Sequence, residues 1–252
     1  MFERPSQQQP GCCEQPGCCA LVLAGGLGTR LRSAVADRPK PLAHVAGRPF
    51  LAWLLEMLRA AGVQRTILCT GYRGELVRDT FGDAFAGMPL DYSQEQRPLG
   101  TGGALRAALS QTDAKALLAL NGDSFCQADL RAFARQHIEI GSPISMLLTQ
   151  VADTSRYGRV DADADGRVTR FTEKGDSHDA GWINAGIYVF QREVLEQISP
   201  DRPVSLEREV LPCWIGRGLH AQRGGGAFID IGTPESYAAA EDFFATAQSA
   251  AA

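Results

Sequence analysis

A glycine-rich segment followed by two cationic side chains could bind a polyphosphate. Gly25, Gly26 and Gly28 come after a short apolar run, Arg30 follows them, and Lys40 lies ten residues beyond Arg30. Glycines let backbone N–H groups approach a phosphate closely, while Arg and Lys supply positive charge. The segment therefore predicts a phosphate-binding loop. The alternative is an ordinary turn between a strand and a helix, with both charges on the surface.

Three other site types have little support from the residues. A dinucleotide-binding fingerprint would need a third glycine where this chain has Leu31, and a Walker A loop would need Gly-Lys-Ser/Thr, which does not occur. A serine hydrolase would be expected to carry Gly-x-Ser-x-Gly, which is also missing.

Two aspartates could bind a metal ion. Asp123 stands just past a second apolar run, where ligands bind in open α/β sheets, and Asp230 lies in a segment that ends in Gly-Thr-Pro. Mg²⁺ prefers one or two carboxylates together with phosphate oxygens and water. The two residues can meet only through folding. For either residue alone, a turn or a helix cap is the alternative.

The elements that must position these residues alternate between apolar runs and helical patterns. This alternation is typical of an α/β fold with a mixed, mostly parallel central sheet and helices on both faces. Strands are predicted at 20–23, 66–70, 116–120 and 183–190, and a hairpin turn at Asp165-Gly166. Helices are predicted at 51–58 with Gly62 as the C-cap, from near Gly102, and from Pro234 to Phe244 with Thr233 as the cap.

The bulk composition favours one catalytic domain over residues 18–246, with a flexible tail at 1–17 and a frayed end at 247–252. The chain has 252 residues and a net charge of −4, and no basic run points to nucleic acid or to a membrane surface. No apolar stretch reaches the roughly 20 residues that span a bilayer. We therefore expect a cytoplasmic protein. A homo-oligomer is possible, because the apolar periodicity of the sequence does not reveal whether an interface between copies exists.

The pattern Gly-Gly-x-Gly-Thr-Arg-Leu with a later Pro-Lys-Pro resembles the sugar-1-phosphate nucleotidyltransferases, and the similarity runs from about Cys19 to Phe244. The resemblance implies their Rossmann-like, GT-A-like nucleotidyltransferase fold. It implies attack of a sugar 1-phosphate on a nucleoside triphosphate, with Arg30, Lys40 and Asp123 as catalytic residues. It also implies one Mg²⁺ held by Asp123 and Asp230.

A second segment, from Arg97 to Leu105, is similar to the base-reading loop of that family. Glu95 precedes it, and a carboxylate can accept both the N1–H and the amino N–H of guanine, which favours GTP. The alternative is that Glu95 is an exposed residue at the end of a strand. The implied nucleotide-binding residues are Leu23, Ala24, Gly25, Gly26, Gly28, Thr29, Glu95, Pro98, Gly100, Thr101 and Gly122.

Further segments resemble the elements that bind the sugar phosphate in that family. They imply backbone contact at Gly158, sugar hydrogen bonds at Glu173 and Asn184, and pairing of Lys174 with the phosphate. A surface hairpin that carries Glu-Lys by chance is the alternative. The family usually has Pro where this chain has Gly175, which leaves the reach of Lys174 open.

Within the family, the resemblance is strongest to guanylyltransferases of D-glycero-α-D-manno-heptose 1-phosphate, which implies GDP-heptose synthesis for a surface glycan. Mannose 1-phosphate with GTP, or another sugar 1-phosphate with UTP or dTTP, are alternatives with the same chemistry. A regulator that senses nucleotide-sugars without catalysis is an alternative of another class. The presence of Arg30, Lys40, Asp123 and Asp230 together argues against it.

Overall fold

The computed structural model describes residues 18–26, 31, 38–172, 175 and 178–249. Its strands are β1 Cys19–Leu23, β2 His44–Val45, β3 Arg48–Pro49, β4 Arg65–Thr70, β5 Ala84–Phe85, β6 Met88–Gln94, β7 Ala116–Asn121, β8 Ser124–Cys126, β9 Ile144–Val151, β10 Arg159–Ala162, β11 Val168–Thr172, β12 Gly181–Gln191, β13 Leu219–Gly225 and β14 Phe228–Asp230. Its α-helices are α1 Phe50–Ala60, α2 Gly74–Phe81, α3 Gly100–Ala108, α4 Leu130–Ile140, α5 Arg192–Glu196, α6 Leu211–Cys213 and α7 Pro234–Ser249.

Eight of the described strands form one mixed sheet in the order β13-β9-β12-β7-β1-β4-β6-β5. The strands β7, β1, β4 and β6 are parallel neighbours, with Leu23 of β1 paired to Cys69 on one side and Asn121 on the other. The strand β12 runs antiparallel to β7 and β9. The predicted mixed, mostly parallel α/β sheet is confirmed.

Hydrophobic cores lie on both faces of this sheet. Alternate side chains of β1 point to opposite faces, so that Ala20 and Val22 join one core and Leu21 joins the other. The first core includes Phe50 of α1 and Phe244 of α7, and the second includes helix α3. Helices therefore cover both faces, as predicted.

The predicted helices are found, with shifted ends. Helix α1 buries its leucines at the predicted helical spacing, and Gly62 just past its end has a φ of +81°. Helix α3 begins at Gly100, earlier than predicted, since the Gly102 and Gly103 N–H groups donate to the Val204 carbonyl. Helix α7 starts at Pro234 after Thr233, as predicted, and continues past Phe244 to Ser249.

The predicted hairpin is confirmed as the antiparallel pair β10 and β11. None of the described helices combines the length and the apolar character needed to cross a membrane. The division into a tail at 1–17, one domain at 18–246 and an end at 247–252 stays a prediction.

Candidate active site

A cavity of about 560 Å³ opens beyond the carboxyl ends of β1, β4, β6 and β7. In parallel α/β sheets this edge is where ligands bind, because the loops that follow the strands converge there. The predicted residues that line it are Leu23, Gly25, Gly26, Lys40, Glu95, Pro98, Gly100, Thr101, Gly122 and Asp123. Segments far apart in the sequence thus meet around one space.

Lys40 and Asp123 form an ion pair in the wall of this cavity. Lys40 Nζ lies 2.7 Å from Asp123 Oδ2. Only 10% of the Lys40 side chain is exposed, whereas the Asp123 side chain is 48% exposed. The buried ammonium is therefore held in a fixed position, while much of the Asp123 carboxylate stays accessible from the cavity.

Gly122 allows the turn after β7, which carries Asp123, to lie directly against the end of β1. Its N–H donates to the Leu23 carbonyl at 3.0 Å, so β1 and the loop after β7 touch through their backbones. A β-carbon at position 122 would collide with that carbonyl oxygen. Only glycine allows this approach without displacing the strand that carries the phosphate-binding segment.

The fold brings Asp230 next to Asp123. The short strands β8 and β14 pair antiparallel with Ser124 opposite Asp230, and the Ile231 N–H donates to the Asp123 carbonyl at 2.9 Å. The expectation that the two aspartates can meet through folding is met at the level of the backbone.

The Asp230 carboxylate accepts hydrogen bonds from several directions. Gly232 N and Ser236 Oγ donate to Oδ1 at 2.6 and 3.0 Å, and the Tyr157 hydroxyl donates to Oδ2 at 2.6 Å. Arg156 Nη2 lies 3.0 Å from Oδ2 and 3.3 Å from Oδ1. Burial opposes ionisation, but these donors and the Arg156 charge outweigh it and lower the pKa of Asp230.

The two aspartates fit a magnesium ion by their chemistry. Asp123 directly precedes β8, and Asp230 ends the paired strand β14. Both supply hard oxygen ligands, and Mg²⁺ needs only one or two carboxylates when phosphates and water complete its shell. Among the described residues, no group of three or more His, Cys, Asp and Glu could hold a metal ion. The magnesium ion itself stays a prediction.

Glu95 faces the cavity from the loop after β6. Its Oε2 accepts a hydrogen bond from the Leu99 N–H at 3.1 Å. Burial raises the pKa of Glu95, and the Leu99 hydrogen bond opposes that rise. The side chain is half-buried and lines the cavity directly after the end of β6. The role of Glu95 in binding guanine stays a prediction.

The predicted sugar-binding residues Gly158 and Asn184 are not among the described residues that line the cavity. The Asn184 amide donates to the Tyr188 hydroxyl at 2.6 Å and accepts from the Gly186 N–H at 2.9 Å, within a bulge of β12. Gly158 closes the turn from Thr154 that also carries Arg156. Their roles in binding a sugar stay predictions.

The comparisons with known proteins agree on one family. The family model described as nucleotidyl transferase matches residues 19–247. The chain belongs to this nucleotidyl transferase family.

Two relatives and one solved structure show how far the similarity extends. A D-glycero-alpha-D-manno-heptose 1-phosphate guanylyltransferase from Aneurinibacillus thermoaerophilus is 36% identical over 88% of this chain and 96% of the relative. A mannose-1-phosphate guanylyltransferase from Mycobacterium tuberculosis is 37% identical over 86% of this chain and 62% of the relative. The structure of HddC from Yersinia pseudotuberculosis complexed with GMP-PN has a TM-score of 0.79 and 36% identity, covering 90% of this chain and 99% of that one.

Several residues of this nucleotidyl transferase lie at the site although the sequence analysis did not predict them there. Glu207, in a π-helical turn, lines the cavity and accepts a hydrogen bond from the predicted Thr101 hydroxyl at 3.0 Å. Asn121 also lines it, and its buried Oδ1 has no hydrogen-bond partner among the described residues. Arg156 lies two residues before the predicted Gly158, but nothing in that segment predicts its pairing with Asp230.

Gly175 has a backbone that the usual family residue could not adopt. Its φ is +92°, whereas proline is fixed near −65°, and its N–H donates to the Ser155 carbonyl at 2.9 Å. A proline at this position could neither adopt this φ nor donate this hydrogen bond.

Five predicted site residues lie outside the described part of the chain: Gly28, Thr29, Arg30, Glu173 and Lys174. Ala24 is described and donates its N–H to the Cys69 carbonyl at 2.8 Å.

Proposed function

We propose that this chain transfers a guanylyl group from GTP to D-glycero-α-D-manno-heptose 1-phosphate, which yields GDP-heptose and pyrophosphate. The observation that carries the proposal is the Lys40–Asp123 pair in a cavity that Glu95 also lines. The Aneurinibacillus relative, of which the match covers 96%, supports the heptose substrate. We further propose that the reaction occurs in the cytoplasm, where nucleoside triphosphates are found, and serves a surface glycan.

The chemistry needs no general base. A phosphate monoester has a second pKa of about 6 and is largely dianionic at neutral pH. One of its oxygens attacks the α-phosphorus of GTP and forms the new P–O bond, while the bond from the α-phosphorus to the bridging oxygen breaks and pyrophosphate leaves. The enzyme therefore has to align the two substrates and neutralise their charge.

The described residues suit these two tasks. The Lys40 ammonium is fixed by Asp123 and supplies positive charge beside the phosphates. Glu95 has a second oxygen that can accept hydrogen bonds from guanine while Oε2 holds Leu99. A magnesium ion bound by Asp123 and Asp230 would supply further positive charge between triphosphate and sugar phosphate.

Mannose 1-phosphate is the second candidate substrate, and the 37% identical mannose-1-phosphate guanylyltransferase favours it. The chain covers only 62% of that relative, against 96% of the heptose relative, which favours the heptose.

A substrate panel tests the proposal. The purified chain is incubated with Mg²⁺, each of the four nucleoside triphosphates, and the 1-phosphates of the heptose, mannose and glucose. We expect GDP-heptose as the main product by mass spectrometry. A preference for mannose 1-phosphate, or for a triphosphate other than GTP, would overturn the specificity. No nucleotide-sugar from any pair, by a folded chain that still binds nucleotide, would favour a regulator.

A further inference from the structure

We propose that Arg156 is a further substrate-binding residue that neutralises Asp230 in the free chain and passes to the phosphate of the sugar 1-phosphate when a divalent cation binds Asp230. The inference rests on the proposed function for its second step. Its first step concerns only Arg156, Asp230 and the cation.

The Asp230 carboxylate is fully occupied by hydrogen-bond donors. A carboxylate offers about four lone-pair directions to donors or metal ions. In Asp230 these directions are taken by Gly232 N, Ser236 Oγ, the Tyr157 hydroxyl and Arg156 Nη2. A metal ion can therefore use Asp230 only if one of these donors moves away.

Arg156 is the described donor that can leave most easily. Gly232 N is a backbone group two residues from Asp230, and Ser236 also holds Thr233 at the start of α7. The Tyr157 ring packs edge-on against Phe228, with their centroids 5.3 Å apart. The Arg156 side chain is 44% exposed, whereas that of Asp230 is 14% exposed, so the guanidinium is the partner that solvent can take up when the pair separates.

The released guanidinium of Arg156 has a suitable new partner nearby. Arg156 lies in the turn that ends at Gly158 and contacts Asp230 at the end of β14, whose partner strand β8 directly follows Asp123. A guanidinium has a planar set of N–H donors that binds phosphate through two hydrogen bonds. A phosphate next to Asp230 is thus a suitable new partner.

The Lys40–Asp123 pair shows the same arrangement on the other carboxylate. Each aspartate that could bind the metal carries one cationic side chain: Lys40 on Asp123 and Arg156 on Asp230. The free chain thereby avoids two uncompensated carboxylates at one edge of the sheet. Asp123 is 48% exposed and keeps room for a cation beside Lys40, whereas the Asp230 directions are all taken, so only Arg156 has to move.

The chain offers a closely matched control for Arg156. Arg159 lies three residues further on, is also 44% exposed, and pairs through Nε with Asp161 at 2.8 Å. Both substitutions, Arg156→Gln and Arg159→Gln, remove one half-exposed arginine from the same part of the chain. Circular dichroism establishes that each variant is folded.

The first measurement is the Mn²⁺ affinity of the full chain without substrates, by electron paramagnetic resonance. Arg156→Gln should bind Mn²⁺ about two- to fivefold more tightly than the wild type, because the guanidinium no longer competes with the ion for Asp230. Arg159→Gln should match the wild type, and Asp230→Asn should bind more weakly. Unchanged or weaker Mn²⁺ binding by Arg156→Gln would overturn the first step.

The second measurement is calorimetric titration of the heptose 1-phosphate with Mg²⁺ and a non-hydrolysable GTP analogue present. Arg156→Gln should lose about tenfold or more in affinity, the size expected for a hydrogen bond to a charged group, and Arg156→Lys should recover part of it. Equal affinity of wild type and Arg156→Gln would overturn the second step. A wild-type chain that binds no sugar 1-phosphate would contradict the proposed function, whereas the Mn²⁺ comparison would still decide the first step.

Discussion

Lys40 Nζ and Asp123 Oδ2 lie 2.7 Å apart and join two segments that are 83 residues apart in the sequence. Lys40 stands in a 3₁₀ turn that begins after Pro39, and Asp123 follows the end of β7. The ion pair ties the segment after the phosphate-binding loop to the central sheet. It also leaves one face of the Asp123 carboxylate open to the cavity.

Removal of either partner of this pair should abolish most of the activity. Lys40→Ala removes a charge beside the phosphates, and Asp123→Ala removes a proposed metal ligand as well as the group that fixes Lys40. We expect each to lower kcat/KM at least about a hundredfold, or roughly 2.7 kcal/mol of transition-state stabilisation. The assay is pyrophosphate release. Lys115→Ala, at an exposed position, is the control and should keep wild-type turnover.

The guanine preference should depend on the charge of Glu95. Burial raises the pKa of this carboxyl group. The ionised form accepts hydrogen bonds from guanine, so GTP affinity should fall as the pH drops through the raised pKa, at a higher pH than an ordinary carboxyl would show. Titrations of GTP over a pH series measure this.

Glu95→Gln provides the control for that pH dependence. The amide does not titrate, so the step in GTP affinity should disappear, and discrimination for GTP over UTP should fall about tenfold or more. The same pH step in Glu95→Gln as in the wild type would exclude Glu95 as its source.

Two glycines of the site should respond differently to alanine. A β-carbon at Gly122 would collide with the Leu23 carbonyl oxygen, whereas one at Gly26 would meet no described atom within 4 Å. Gly122→Ala should destabilise the fold by about 1 to 3 kcal/mol and lower the Tm by several degrees. Gly26→Ala should stay within about 0.5 kcal/mol of the wild type. Equal Tm values for the two variants in calorimetry would contradict this packing.

Asp230 should stabilise the fold in a pH-dependent way. Burial would raise its pKa, but the Tyr157, Gly232 and Ser236 hydrogen bonds and the Arg156 charge lower it below the ordinary value. The stability that the ionised group supplies is therefore present above the pKa of the unfolded chain, and is lost as the pH falls through the lower folded value.

Chemical denaturation of wild type and Asp230→Asn tests this linkage. The variant should be less stable by about 2 kcal/mol at pH 7, and the difference should shrink towards about pH 3. A difference that stays constant over this range would assign the effect to packing instead of charge.

Local patterns were enough to predict the elements of this fold. The buried strands β1, β4 and β7 are apolar runs that need no knowledge of their neighbours, and the leucine spacing of α1 reports which face is buried. The ends were less accurate, because the start of α3 depends on the Val204 carbonyl, which is distant in the sequence.

Residues of the site could be predicted from the sequence only where a short sequence motif contains them. Gly122 and Asp123 are adjacent in the sequence, so one motif predicts both. The contact of Thr101 with Glu207 spans 106 residues, and that of Arg156 with Asp230 spans 74. Such pairs form only when loops after different strands meet, and nothing in either local segment specifies the partner.

The most direct test of this account is the rate of pyrophosphate release from GTP and D-glycero-α-D-manno-heptose 1-phosphate with Mg²⁺, measured for wild type and Asp123→Asn at matched concentration. We expect steady release by the wild type and at least a hundredfold slower release by the folded variant. Similar rates for the two proteins would show that the chemistry does not take place at Asp123, and would contradict the proposed site.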